Sequence, residues 1–217
     1  MLTTQFEAVI FDMDGVIVDS EPLHEQSFIE VWDELGFGDN HGIHFPDFYG
    51  RSDRVVWEAF IEKHPPTRAI EELIGLREER LIGMLRDQEP LFDGVTELIQ
   101  RLAKLYPLGL ASGSIHRVID EVLAMQNLRS YFKDVTSSED VSEPKPSPEI
   151  FLLSAERLGV SPENCCVIED TVNGIKASKA AGMTTVAITN TFDASSLFDA
   201  GADAICCDYS AIHSQFI

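Results

Sequence analysis

Basic residues are scarce in this chain of 217 residues. Sixteen lysines and arginines stand against 37 aspartates and glutamates, a formal net charge of -21. A protein so acidic has no general basic face, which argues against nucleic acid or an anionic membrane surface as partner. An anionic substrate would need cations gathered locally against that field. Long apolar runs are missing too, and none approaches the roughly 20 residues that span a bilayer. The opening Met1-Leu2-Thr3-Thr4-Gln5 lacks the basic start of a signal peptide. Cysteine occurs only as two adjacent pairs, Cys165-Cys166 and Cys206-Cys207, without Cys-x-x-Cys spacing. Both pairs lie in apolar runs and are expected to be small buried residues in a reducing, cytoplasmic protein.

What is present is enough apolar material, 44% of residues, for a sizeable core. The length allows one large domain, or one domain with a smaller insert. The most telling stretch is Phe6 to Val16, a short apolar run that ends in Asp12-Met13-Asp14-Gly15. Such runs are buried strands, and buried strands do not ordinarily finish in two carboxylates. Strand side chains alternate, so Asp12 and Asp14 share a face. Two like charges there require a cation between them or a retained proton.

Downstream, Asp19 or Ser20 can cap a helix with Pro22 in its first turn, ended by Gly36. Residues 36–50 are predicted to be loop. Arg51 to Glu62 and Thr67 to Leu85 are predicted helices, separated by His64-Pro65-Pro66. From about residue 90 the pattern changes to strands near 107–111, 134–136, 165–168, 184–188 and 204–207. Helices over 93–105, 115–125, 148–158, 172–181 and 194–200 lie between them. That alternation predicts a doubly wound parallel α/β sheet, Rossmann-like, formed by residues 1–18 and 88–217. Residues 19–87 form an inserted all-helical cap.

Functional groups in such a sheet collect at the carboxyl ends of the strands. Three predicted strands end unusually: in Asp12-x-Asp14, in Ser112-Gly113-Ser114 and in Glu169-Asp170. Lys145, held between Pro144 and Pro146, falls between the last two. Together these bring up to four carboxylates, a hydroxyl and an ammonium to one crevice. That many acids need a hard divalent ion on oxygen ligands, and magnesium is the usual choice beside phosphates.

The set Asp12-Met13-Asp14-Gly15-Val16, Ser112, Lys145 and Glu169-Asp170 resembles the haloacid dehalogenase-like hydrolases. Val167 to Ala177 and Ala180-Ala181-Gly182-Met183 resemble that family's last motif almost throughout. The nearest branch holds the beta-phosphoglucomutases and sugar-phosphate phosphatases, which carry a helical cap. The resemblance implies a Mg²⁺-dependent phosphomonoesterase. Asp12 would be the nucleophile and Asp14 the general acid and base. Ser112 would donate to the phosphoryl group, with the N–H groups of Gly113 and Ser114, and Lys145 would neutralise charge. Asp12, the main-chain carbonyl of Asp14, Asp170 and Glu169 are the implied metal ligands. His24, Arg51, Arg54 and Arg77 are the cap's candidate substrate contacts. The expected partner is a small phosphorylated metabolite, a sugar or polyol phosphate, acted on by a monomer or weak homodimer.

The alternatives are a sugar-phosphate mutase, a dehalogenase, a phosphonatase and a non-enzymatic binding protein. The mutase has a lysine directly after its second motif, where this chain has Ile115. A dehalogenase does not retain an acid at the position of Asp14. A phosphonatase needs a cap lysine, and Lys63 is the single lysine between residues 20 and 87. A binding protein would have lost some of the acids.

Overall fold

A computed structural model describes residues 6–48, 53–65 and 68–216. It divides into two compact units, one of Met1–Asp19 with Pro90–Ile217 and one of Ser20–Glu89. The two crossing segments meet inside the first unit. Val18 pairs antiparallel with Leu91, and the Asp19 N–H donates to Pro90 O at 2.8 Å.

The first unit opens with β1 (Ala8–Phe11), all four residues buried. A strand covered on both faces is apolar throughout, which is why this run does not alternate. The chain then enters the second unit, built from α1 (Glu21–Glu34), α2 (Asp53–Lys63) and α3 (Ile70–Gln88). Ser20 stands at the N-cap of α1 without a side-chain cap bond, and Gly36 turns the chain with φ of 84°. The predicted loop over 36–50 contains two 3-10 turns, Gly38–His41 and Phe45–Phe48. Thr67, expected as a helix cap, lies outside the described residues, as does Arg51. Phe28, Trp32, Trp57 and Phe60 form the centre of this unit. Trp32 stacks on Phe60 at 5.0 Å and Phe28 meets Trp57 at 5.2 Å. Each such pair contributes about 0.5–1.5 kcal/mol beyond the area it buries.

Back in the first unit follow α4 (Val95–Leu102), β2 (Leu108–Ala111), α5 (His116–Ala124), β3 (Phe132–Thr136) and α6 (Glu149–Leu158). Then come β4 (Cys165–Glu169), α7 (Val172–Ala180), β5 (Thr184–Ile188), α8 (Ala194–Asp199), β6 (Ala204–Cys206) and α9 (Tyr209–His213). The helix predicted over 93–105 starts later, because Gly94 before it is left-handed with φ of 88°, and it ends at Leu102. The helix α9 is an addition, capped by the Asp208 carboxylate, which accepts from Ala211 N at 2.7 Å. Cys207, expected buried, is exposed past the end of β6, while Cys165, Cys166 and Cys206 are buried.

The six strands are parallel in the order β3-β2-β1-β4-β5-β6. Winding runs outward from β1 to β3, then reverses to place β4 on the other side of β1. Phe11 is level with Leu110 and with Ile168. The carboxyl ends of β2, β1 and β4 therefore lie side by side at the reversal point, where open α/β sheets hold their ligands.

Candidate active site

Asp12 leaves the end of β1 with its N–H bonded to Ile168 O at 2.9 Å. On the next strand Glu169 is the last residue of β4, and Asp170 follows it. Lys145 arrives from the loop before α6, joined to Pro146 by a cis peptide. Its Nζ donates to Asp12 Oδ1 at 2.7 Å, Glu169 Oε1 at 2.9 Å and Ala111 O at 3.2 Å. All three ammonium hydrogens are thereby used. Burial opposes the charge on Lys145, but the Asp12 and Glu169 carboxylates outweigh it and hold the pKa above the ordinary lysine value. The group is a fixed cation.

The acids respond in the opposite direction. Burial, reinforced by the charges of Glu169 and Asp14, pushes Asp12 up to about 7 in spite of Lys145. Asp170 is raised well above the usual carboxylate range by burial, then by Glu169 and Asp12. The Thr191 hydroxyl offsets part of this, yet among the described residues neither buried Asp170 oxygen has a partner in full hydrogen-bond geometry. An unpartnered buried carboxylate is costly. Glu169 is the contrast. Its Oε2 accepts from Asp170 N at 2.7 Å, Thr171 N at 2.6 Å and Thr171 Oγ1 at 3.0 Å. The cap of α7 is Thr171, which accepts from Gly174 N at 3.0 Å.

Asp12, Glu169 and Asp170 each offer a carboxylate oxygen, all within 4.8 Å of one another, and all three residues are buried. An oxygen-only set with two orphaned oxygens fits a hard divalent cation. Asp170 has the most unused capacity for it, and Glu169 the least.

Asp14 points elsewhere. Its Oδ2 accepts from Ser114 Oγ at 2.9 Å and Ser112 Oγ at 3.3 Å. Ser114 N donates to Ser112 Oγ at 3.0 Å, while Gly113 is exposed. The hydroxyl and N–H expected to meet a phosphoryl group are thus engaged with Asp14 and with each other. Asp12, Asp14, Ser112, Ser114, Lys145, Glu169 and Asp170 are all brought to one place.

Two glycines form part of this site. A Cβ at Gly15, where φ is 76°, would fall 1.9 Å from Asp170 Oδ2. A Cβ at Gly174 would fall 1.5 Å from Glu169 Oε1. Both lie in the quoted motifs, yet neither is predicted as a site residue: Gly15 meets a side chain 155 residues away, and Gly174 meets one only five residues back that the fold turns onto its helix. Asn190 and Tyr209 were also missed. Asn190 Nδ2 donates to Gly15 O at 2.7 Å, and Tyr209 OH to Val16 O at 2.7 Å.

In the helical unit, Arg77 of α3 is 1% exposed and donates to Asp53 of α2 and to His24 Nδ1 of α1. Its guanidinium lies 4.7 Å from the centroid of the Phe28 ring. Arginine only donates, so in this contact His24 Nδ1 stands as the acceptor. Arg77, expected as a substrate contact, is instead a buried link between three helices. Arg54 is exposed on α2.

A family model described as haloacid dehalogenase-like hydrolase matches residues 6–182. Hexitol phosphatase B of Escherichia coli (strain K12) is 38% identical over 189 residues, covering 85% of this chain and 84% of that protein. Fructose-1-phosphate phosphatase YqaB of the same organism is 33% identical over 188 residues, 84% of this chain and 96% of that one. The crystal structure of CbbY from Rhodobacter sphaeroides in complex with phosphate has a TM-score of 0.82 at 24% identity, covering 96% of both chains. That last likeness concerns the fold alone. With a sheet whose central strand ends in Asp12-x-Asp14, beside Lys145 and Glu169-Asp170, the chain belongs to the haloacid dehalogenase-like hydrolases.

Proposed function

We propose that this protein is a magnesium-dependent phosphatase that hydrolyses the phosphate ester of a small sugar or polyol through an aspartyl-phosphate on Asp12. The observation that carries this reading is the junction of Asp12 with Lys145 at 2.7 Å beside the orphaned carboxylate of Asp170. The names of the hexitol and fructose-1-phosphate phosphatases support the substrate class.

In the first step Asp12 attacks phosphorus, its O–P bond forms and the ester O–P bond breaks. Asp14 gives its proton to the departing alkoxide. In the second step water attacks phosphorus, Asp14 takes the water's proton, and inorganic phosphate leaves Asp12. Lys145, already a fixed cation, offsets the repulsion between Asp12 and the phosphoryl oxygens. Ser112 and Ser114 hold Asp14 until substrate arrives, then donate to the phosphoryl group. Magnesium would be held by Asp12, Asp170 and the Asp14 carbonyl, and when bound it supplies positive charge against the phosphoryl oxygens. Glu169 orients Lys145 and the Asp170 backbone. In the helical unit, His24, Arg51 and Arg54 are proposed as substrate contacts, with Arg77 holding the His24 ring.

The test is phosphate release from a panel of sugar, polyol and nucleotide monophosphates with magnesium. Turnover of hexitol or hexose phosphates, abolished by chelator, is the expected result. No release from any ester would reject the reading. Isomerisation far faster than release would replace it with a mutase.

A further inference from the structure

We infer that Tyr209 and Asn190 are positioning residues of the reaction, a clamp that fixes the turn on which Asp14 is carried. This rests on the role for Asp14 proposed above.

The turn after β1 is bonded internally through Gly15 N to Val18 O at 2.9 Å and Ile17 N to Met13 O at 2.7 Å. Those bonds leave the carbonyls of Gly15 and Val16 pointing away from the turn. Each is met by a side chain from the far end of the chain. Asn190, two residues past β5, donates one amide hydrogen to Gly15 O at 2.7 Å and the other to Tyr209 OH at 3.1 Å. The phenol in turn donates to Val16 O at 2.7 Å. Burial raises the Tyr209 pKa above the ordinary tyrosine value, so the phenol keeps the proton it donates. Every hydrogen in this relay has one acceptor, an arrangement in which successive bonds strengthen one another.

The ring itself is held. Tyr209 is only 9% exposed and lies 6.1 Å from the Phe92 ring. The clamp holds the same turn in which Gly15 abuts the Asp170 carboxylate and from which Asp14 reaches Ser112 and Ser114. Loosening it shifts Asp14 relative to Asp12.

A misplaced general acid has a signature. An alkoxide leaving group needs the proton from Asp14, whereas a para-nitrophenolate leaves without it. The value of kcat/KM covers the steps up to phosphorylation of Asp12, so it reports this difference even when release of phosphate limits kcat. Tyr209→Phe keeps the ring and removes the hydroxyl. We expect kcat/KM for a hexitol phosphate to fall about tenfold, and that for para-nitrophenyl phosphate to change less than about twofold. Asn190→Ala should show the same selectivity, and carries the comparison if Tyr209→Phe melts below the assay temperature. Equal losses on the two esters, tracking the folded fraction seen by circular dichroism, would overturn the clamp as a positioning device. Asp14→Asn serves as reference. A selective loss there with none in the clamp variants rejects the clamp alone. Equal losses in Asp14→Asn, or a wild-type protein that cleaves neither ester, reject the phosphatase mechanism and the clamp with it.

Discussion

Gly174→Ala tests how tightly Glu169 is built into the site. Alanine is the better helix former by about 1 kcal/mol, so at an open helical position the change stabilises. Gly174 is not open. Its new methyl would sit 1.5 Å from Glu169 Oε1 and 1.9 Å from Glu169 Cδ. Ordinary contact requires the carboxylate to retreat by nearly 2 Å, roughly the difference from a normal contact of about 3.4 Å. It cannot retreat and keep its bonds, because Oε2 is held by Asp170 N, Thr171 N and Thr171 Oγ1, and Oε1 by Lys145. Losing two of these charge-assisted bonds costs about 3–6 kcal/mol, against the 1 kcal/mol gained in propensity. The expected net loss is about 3 kcal/mol, a fall in melting temperature of roughly 6–12 °C for a chain of this size. Activity should drop at least tenfold at a temperature where the variant remains folded, because Lys145 and the Asp170 backbone both shift. Gly75→Ala is the control. It lies inside α3 with none of the described residues within 4 Å of the added methyl, and should raise the melting temperature by a few degrees. Scanning calorimetry on both variants decides it. If Gly174→Ala melts at or above the wild type with full activity, the reasoning about Glu169 is wrong.

Lys145→Met should lower turnover by about 10²-fold, as losing a preorganised charge does. It should also destabilise by about 3 kcal/mol at neutral pH in urea titrations, since Asp12 and Glu169 lose a buried cation. Magnesium should raise the melting temperature more at pH 8 than at pH 6. Asp12 is lifted by burial to about 7 from an ordinary 3.8, so in metal-free protein its contribution is present at low pH and lost as pH rises toward 7. A cation offsets that loss where the carboxylate is ionised, and protons displace it below. Equal shifts at both pH values would contradict the placement of Asp12 among the ligands. Asp140→Asn should flatten stability between pH 4 and pH 2. Burial would raise the Asp140 pKa, but the Arg157 and Ser137 hydrogen bonds outweigh it and hold it down at about 2. Its contribution is therefore present above the ordinary value of 3.8 and fades as pH falls, which denaturant midpoints at pH 5 and pH 3 will report.

Much of the site was legible because it lies at strand ends, where strand order fixes position; parity did not carry past Phe11, where β1 ends, so Asp14 does not share the face of Asp12 as expected. Asp12, Lys145 and Asp170 could be placed together once the alternation of strands and helices was read, since a parallel sheet leaves few topologies. What could not be read depends on contacts across long separations. The choice between Glu169 and Asp170 as cation ligand turns on which backbone N–H groups already bind Glu169. Arg77, expected as a substrate contact, lies four residues from Leu73 and from Leu81 on the buried face of α3, where Asp53 and His24 on neighbouring helices hold it. Tyr209 meets Val16 across 193 residues of chain, and its five-residue helix is too short to declare itself by periodicity. A sharper reading of Asp208 as an N-cap could have found that helix, but not what its tyrosine touches.

The covalent role of Asp12 is tested most directly by the stereochemical course at phosphorus, followed with a chiral phosphate ester. Two in-line displacements, onto Asp12 and then onto water, predict retention of configuration. Inversion would mean that water attacks the ester in one step, and Asp12 would then be no nucleophile.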